Sequence, residues 1–407
     1  MKRSIAWATW SLATFFYAYQ YVLRVAPNIL KDDIVAKYGI DDRIFGQYAG
    51  TYYLGYSLIH IPLGLLLDRY GPKRIMPMFL ALTILGMAPL VLTDFWIYPI
   101  VGRALVGIGS SSAILGVFKI LRMTFPESKF TIMLSISVTI GLLGAIFGGE
   151  PLHALHQYFG LENIVLILMA GGVVLASLLY ITVPELERDA DESPRLWDEV
   201  KTVLTDRYVL LVCLLSGLMV GPLEGFADAW AKSFLKSDYG FADTVAAGLP
   251  SWIFFGMCFG GVFLSLIAKR VKNDMLVVFF CAFIMMVAFV GIITQTIPAS
   301  PLLLKCVFFV IGLMCAYQIL AIANVSIHVA PQFAGLTSAV ANMIIMIFGY
   351  IFHSGIGIIL HQFSGVDDTN AVYSEDAMFY AIGIIPAALL IACIGFGILS
   401  MSHSKQQ

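Results

Sequence analysis

The sequence predicts an all-α membrane protein that crosses a bilayer twelve times, six spans on each side of a charged linker, with both termini cytoplasmic. Composition is the first observation. Of 407 residues, 59% are hydrophobic and 12% charged, with a mean hydropathy of +0.88. A soluble domain carries about 25% charged residues and could not hide that much apolar surface. The second is that apolar stretches of about 20 residues recur along the chain, each long enough at about 1.5 Å per residue to cross a core of roughly 30 Å. The third is that the longest charged stretch, Pro184 to Arg207, falls in the middle.

Apolar runs between charged or Gly/Pro-rich breaks place the spans at about 5–30, 44–66, 74–93, 97–122, 130–150, 162–183, 207–231, 246–268, 275–295, 301–326, 334–360 and 377–400. The first follows Lys2 and Arg3, exceeds a signal-peptide core and lacks a small-residue cleavage site, so it is expected to be retained. Between spans six and seven, Leu196, Trp197, Val200, Val203 and Leu204 share one helical face, which suits a short amphipathic helix on the inner interface or a solvated linker. The expected division is 1–183, a linker over 184–206, and 207–407.

Orientation follows from the basic residues. With the N-terminus inside, sixteen fall on the cytoplasmic side, among them Arg69, Lys73, Arg74, Lys119, Arg207 and Arg270. Six fall opposite: Lys31, Lys37, Arg43, Lys232, Lys236 and Lys305. Arg24 and Arg103 remain within spans. The halves also repeat weakly: without gaps, Tyr52 to Ile75 aligns with Ile253 to Leu276, matching Gly55 with Gly256 and Arg69 with Arg270. Such halves place a binding cavity between them near the bilayer midplane.

Several classes are excluded. The net charge is −2 and the basic residues are spread along one face, so no nucleic-acid partner is expected. All six cysteines lie within spans without CxxC spacing and read as packing residues, not metal ligands. No Walker loop, nucleotide fingerprint, HExxH or nucleophile elbow occurs, which argues against an enzyme and against ATP drive. No cofactor is expected.

Between spans two and three the sequence reads "GLLLDRYGPKR". Gly64 is expected to let two helices approach, Asp68 to meet a basic side chain or a helix N-terminus, and Arg69, Lys73 and Arg74 to anchor the turn that holds Gly71. This stretch resembles the signature loop of the major facilitator superfamily, G-x-x-x-D-R-x-G-x-[RK]-[RK], where it implies a conformational gate. Lys269 stands in place of the aspartate in the second half. Span four, "GRALVGIGSSSA", is similar to the superfamily's R-x-x-x-G-x-G motif. An arginine there must meet an acid, a carbonyl or water, and the resemblance ties Arg103 to proton handling or helix pairing. Span five, "GLLGAIFGGEP", resembles the antiporter motif except that Ala145 replaces its proline, and close helix packing accounts for the same glycines.

Tyr17, Gln20, Tyr21, Arg24 and Asn28 share one face of the first helix, and Glu224 and Asp228 lie one turn apart in span seven. Arg24 lies 21 residues past Arg3, as Asp228 does past Arg207, and Gln20 and Glu224 correspond likewise. Equal counts imply equal depth. The resemblance implies that these helices border the cavity, where Arg24 would take a solute carboxylate and Glu224 or Asp228 its ammonium or a proton. Snorkelling of Arg24 to the outer surface is the structural alternative. Tyr317 and Gln318 join the candidate binding residues, with Tyr52, Tyr53, Tyr56, Asn342 and His353 as further cavity linings. His60, His328 and His361 are expected near membrane edges, without function.

Stretches such as "YQYVLRVAPNI", "MVGPLEGFADAW" and "VANMIIMIFGYIFH" resemble the proteobacterial intraphagosomal transporters of Legionella and Francisella type. That resemblance implies a monomeric, multi-pass carrier of the bacterial inner membrane that imports a small amino acid, or in some relatives a nucleoside, with protons. Export of a siderophore or drug, and a sensor that no longer transports, are the alternatives.

Overall fold

Proline, glycine and short polar side chains set the helix ends in the computed structural model, which describes residues 3–185, 196–329, 334–363 and 376–403. The described residues form helices α1 (Arg3–Tyr38), α2 (Asp42–Tyr70), α3 (Pro72–Met87), α4 (Pro89–Leu92), α5 (Ile97–Thr124), α6 (Glu127–Phe147), α7 (Glu150–Thr182), α8 (Leu196–Thr205) and α9 (Arg207–Leu218). After a π-helical segment (Gly221–Trp230) come α10 (Ala231–Ser237), α11 (Asp243–Gly248), α12 (Ser251–Val271), α13 (Asp274–Ile293), α14 (Pro301–Cys315), α15 (Tyr317–His328), α16 (Ala334–Phe363) and α17 (Ala377–His403). Gly71, at φ 75°, turns the chain from α2 into Pro72, whose missing N–H costs nothing in the first turn of a helix. Asp206 caps α9 by accepting from the backbone N–H groups of Tyr208 and Val209 at 2.9 and 3.0 Å, and Asn273 caps α13 through Leu276 N.

Among the described residues, nine helices are long and apolar enough to cross a membrane. They correspond to nine of the twelve expected spans. The expected spans at about 5–30 and 44–66 lie in α1 and α2, which carry enough charged, amide and tyrosine side chains to dilute their hydropathy. The one at about 130–150 appears as the shorter apolar helix Ile132–Phe147. Large apolar side chains such as Leu92, Ile181, Val262 and Ile327 are exposed, as lipid contact requires.

The chain divides into two compact units. The first holds the described residues up to Ile40 and from Thr51 to 185; there α1 packs against α5, α6 and α7, and α3 against α5 and α7. The second holds Asp41–Gly50 and the described residues from 196 onward; there α12 packs on α14, α13 on α17, and α16 on α9, α15 and α17. In lipid, burying leucine adds little, so close approach at small residues carries the packing. A Cβ on Gly55 would stand 2.2 Å from Ala104 O, and one on Gly107 only 2.0 Å from Tyr52 O. The second unit repeats this reciprocal seam: a Cβ on Gly256 would stand 2.1 Å from Phe309 O, and one on Gly312 1.9 Å from Ile253 O. The gap-free alignment pairs Gly55 with Gly256 and Tyr52 with Ile253, the same positions.

Lys31 and Lys232, counted among the six charges opposite the cytoplasmic side, are each 5% exposed, and Lys232 reaches Asp243 at 3.2 Å. Two expectations need correction. Gly64 mediates no close approach, because a Cβ there would meet no atom within 4 Å. The linker helix exists as α8, but Val200 and Val203 are buried where α8 packs on α16, in place of facing lipid; the side chains of Leu196 and Trp197, and residues 186–195, lie outside the described set.

Candidate functional site

The first unit gathers a polar cluster on α1. Tyr17, Gln20, Tyr21, Arg24 and Asn28 are all buried, Arg24 at 7% exposure, so its guanidinium does not snorkel to a surface. The guanidinium carbon lies 5.2 Å from the ring centroids of both Tyr21 and Tyr53. A cation between two aromatic faces gains about 2 kcal/mol when desolvated, and a guanidinium fork matches the geometry of a carboxylate. Tyr52 donates to Gln20 Oε1 at 2.7 Å, and the Tyr17 and Tyr21 rings meet edge to face at 5.2 Å. Gly141 and Gly144 of α6 and its C-cap Gly148 lie against Tyr17, Ala18 and Val25, so the glycine-rich motif serves the packing of α1 in this structure.

Arg103 meets carbonyls. Its Nη1 donates to Leu23 O and its Nη2 to Arg24 O, each at 2.8 Å, with the guanidinium 4.8 Å from the Tyr52 ring. The sequence of α1 supplies the reason. Pro27 sits inside that helix and has no N–H to donate to the carbonyl four residues back, which belongs to Leu23. Arg103 fills this vacancy from α5 and fixes the backbone that presents Arg24.

The second unit holds the acidic candidates on the π-helical segment, where all ten residues are buried. The Ala231 N–H donates to Phe226 O, five residues back, which defines the wider register. Pro222 removes one α-type donor, and Gly225 lies against Phe352, whose Cβ would be 2.9 Å from an added Cβ. Residues four apart stay neighbours in a π turn, but Glu224 and Asp228 are not in the α-helical register expected of them. Each is 1% exposed. Gln318 Nε2 donates to Glu224 Oε1 at 3.4 Å, and Tyr317 donates to Ser216 O at 2.6 Å, where α9 ends. The Gly-Pro and Gly punctuation of "GPLEGFADAW" was the available signal for this irregular turn.

In the signature loop, Asp68 Oδ1 accepts from Lys119 Nζ at 2.7 Å. Lys119, read from sequence as one more inner charge, is therefore a partner of the candidate gate. Arg69 lies 5.3 Å over the Tyr70 ring, and Arg74 pairs with Glu185 at 3.7 Å between exposed side chains. His60 is 4% exposed and so is buried within the protein, whereas His328 and His361 pair with Asp206 and Asp41 at helix ends.

Residues 9–354 match the Major Facilitator Superfamily. The inner membrane transport protein YajR of Escherichia coli (strain K12) is 31% identical over 140 residues, 34% of this chain and 30% of that protein's length. Among solved structures, a bacterial homolog of the human lysosomal transporter Spinster, inward-facing and unoccupied, covers 99% of this chain and 98% of its own, with a TM-score of 0.76 at 16% identity. A mutant of the nucleoside transporter NupG gives 0.77 at 12% identity, covering 96% and 99%. A D-xylose-proton symporter gives 0.71 at 14%, covering 97% and 96%.

Proposed function

This chain belongs to the major facilitator superfamily, and on that premise we propose that it is a proton-coupled importer of a small amino acid, built of twelve spans in two six-helix bundles joined by a linker. It is a secondary transporter, not an enzyme, and works by alternating access. Its likeness to an inner membrane transport protein supports a multi-pass place in a bacterial inner membrane. Resemblance of several sequence stretches to intraphagosomal amino-acid carriers supports the solute class.

The observation that carries the reading is Arg24, a guanidinium 7% exposed between two tyrosine faces. A buried cation in a membrane helix marks a site for an anionic group. In this reading Arg24 takes the solute carboxylate by paired hydrogen bonds, with Tyr17, Gln20 and Tyr21 shaping the site. Glu224, held by Gln318 on the chain's second unit with Tyr317 and Asp228 nearby in sequence or contact, exchanges a proton. Arg103 enters coupling by holding the backbone of Arg24. Gly64, Asp68, Arg69, Gly71 and Arg74 form the gate. Protonation shifts the equilibrium only through differential proton affinity of the two states.

Uptake of labelled amino acids into proteoliposomes, with and without an inward proton gradient, tests this. Gradient-driven accumulation is expected in the native protein and not in Arg24→Lys, which keeps the charge but loses the planar fork. Equal accumulation by both would refute the role of Arg24. A nucleoside is the second reading, favoured by the tyrosine rings at positions 17, 21, 52 and 53, which offer stacking faces.

A further inference from the structure

One buried titratable ring takes no part in the solute site. On α2, Tyr52, Tyr56, His60, Gly64 and Asp68 follow at four-residue intervals, so each stands one turn, about 6 Å along the axis, from the next. The series begins in the Arg24 cluster, where Tyr52 donates to Gln20, and ends at the signature loop, where Asp68 accepts from Lys119. Tyr52 and Tyr56 stack at 5.9 Å, and the Tyr56 and His60 rings lie 4.6 Å apart.

His60 Nδ1 lies 2.9 Å from Tyr56 O. A carbonyl oxygen only accepts, so Nδ1 carries the hydrogen, and Nε2 is the acceptor of the neutral ring. One turn further, a Cβ on Gly64 would meet no atom within 4 Å, and a water there would link the imidazole to Asp68. A hydrocarbon side chain at either position would close this route. An imidazole 4% exposed in a membrane helix is costly and points to proton traffic.

We propose that His60 is a proton relay between the polar cluster around Tyr52 and the carboxylate of Asp68, an inference that rests on the proton coupling proposed above. A proton arriving from the Tyr52 and Tyr56 side adds to the Nε2 lone pair and makes the imidazolium. It leaves from Nε2 to water at Gly64 and passes to Asp68, which restores the neutral Nδ1–H ring; no other bond changes. Charged groups on the neighbouring α1 and α5 favour this direction. Arg24 and Arg103 at the cluster repel a cationic ring, and the carboxylate of Asp68 at the far end attracts it.

The test uses the full chain in proteoliposomes with an internal pH dye, an inside-negative potential and a mixture of the common L-amino acids as probe. His60→Gln is expected to reduce solute-dependent proton influx at least about tenfold, while exchange of the labelled amino acids at equal pH stays within about twofold. Proton influx within about twofold of the native rate overturns the relay. If the amino acids move no protons through the native protein, or the variant does not fold, nitrogen NMR of the native chain in nanodiscs decides separately. There the His60 ring is expected to titrate at Nε2 from the Nδ1–H form, with a midpoint that falls in Asp68→Asn. A ring that stays in one neutral form from about pH 5 to about pH 9, or a midpoint indifferent to Asp68, overturns the proposal.

Discussion

Replacing Arg103 with methionine removes two charge-assisted hydrogen bonds to the main chain of α1. In soluble proteins each such bond contributes about 1.5–3 kcal/mol. Polar contacts between membrane helices average about 0.6 kcal/mol and reach about 1.7. Two bonds in lipid therefore put the loss at about 1–3 kcal/mol, partly offset because a buried guanidinium, 5% exposed, no longer has to be desolvated. The two carbonyls are not equivalent. A helical Asn28 N–H still serves Arg24 O, but Pro27 leaves Leu23 O without a helical donor. Pro27→Ala restores that donor, so it should recover more stability in the Arg103→Met background than in the native one. The expected coupling is about 1 kcal/mol in a double-mutant cycle, measured by reversible unfolding in mixed micelles. Additivity of the two substitutions within about 0.3 kcal/mol would mean that Arg103 does not replace the donor lost at Pro27.

Glu224→Gln keeps the bond to Gln318 sterically possible but removes the titratable charge; it should abolish accumulation driven by a pH gradient while leaving exchange measurable, and undiminished gradient-driven accumulation would count against its coupling role. Gly107→Ala and Gly312→Ala should each destabilise their unit by about 1–3 kcal/mol, seen as lowered thermal midpoints, since both added methyls would meet a carbonyl at 2.0 Å or less. Asp68→Asn should change stability by less than about 1 kcal/mol, because its partnership with Lys119 is largely exposed, yet slow transport if the pair belongs to a gate; uptake and melting measured on one preparation separate the two effects. Outside the spans, burial holds the Asp238 carboxyl above its usual 3.8, with the Ser237 hydroxyl opposing. A raised folded-state value makes its contribution largest in acid and lost as pH rises past that value, so Asp238→Asn should stabilise the protein at neutral pH and flatten the pH profile of unfolding above about pH 4.

The helical class, nine of the span positions, the signature loop and the aligned glycines of the two halves were legible in the chain itself. Each follows from local physics: a bilayer demands that backbone hydrogen bonds close within a helix, and hydropathy is a property of short windows. The burial of Arg24, the donors that Arg103 lends to Leu23 and Arg24, the π register around Glu224, the partnership of Lys119 with Asp68 and the burial of His60 were decided only by tertiary structure. A proline announces a missing donor, but nothing nearby in sequence says that an arginine some 80 residues away will supply one. Charged and polar side chains in a membrane protein take their meaning from which turns of which helices meet, and that depends on packing between distant segments rather than on any window of the chain.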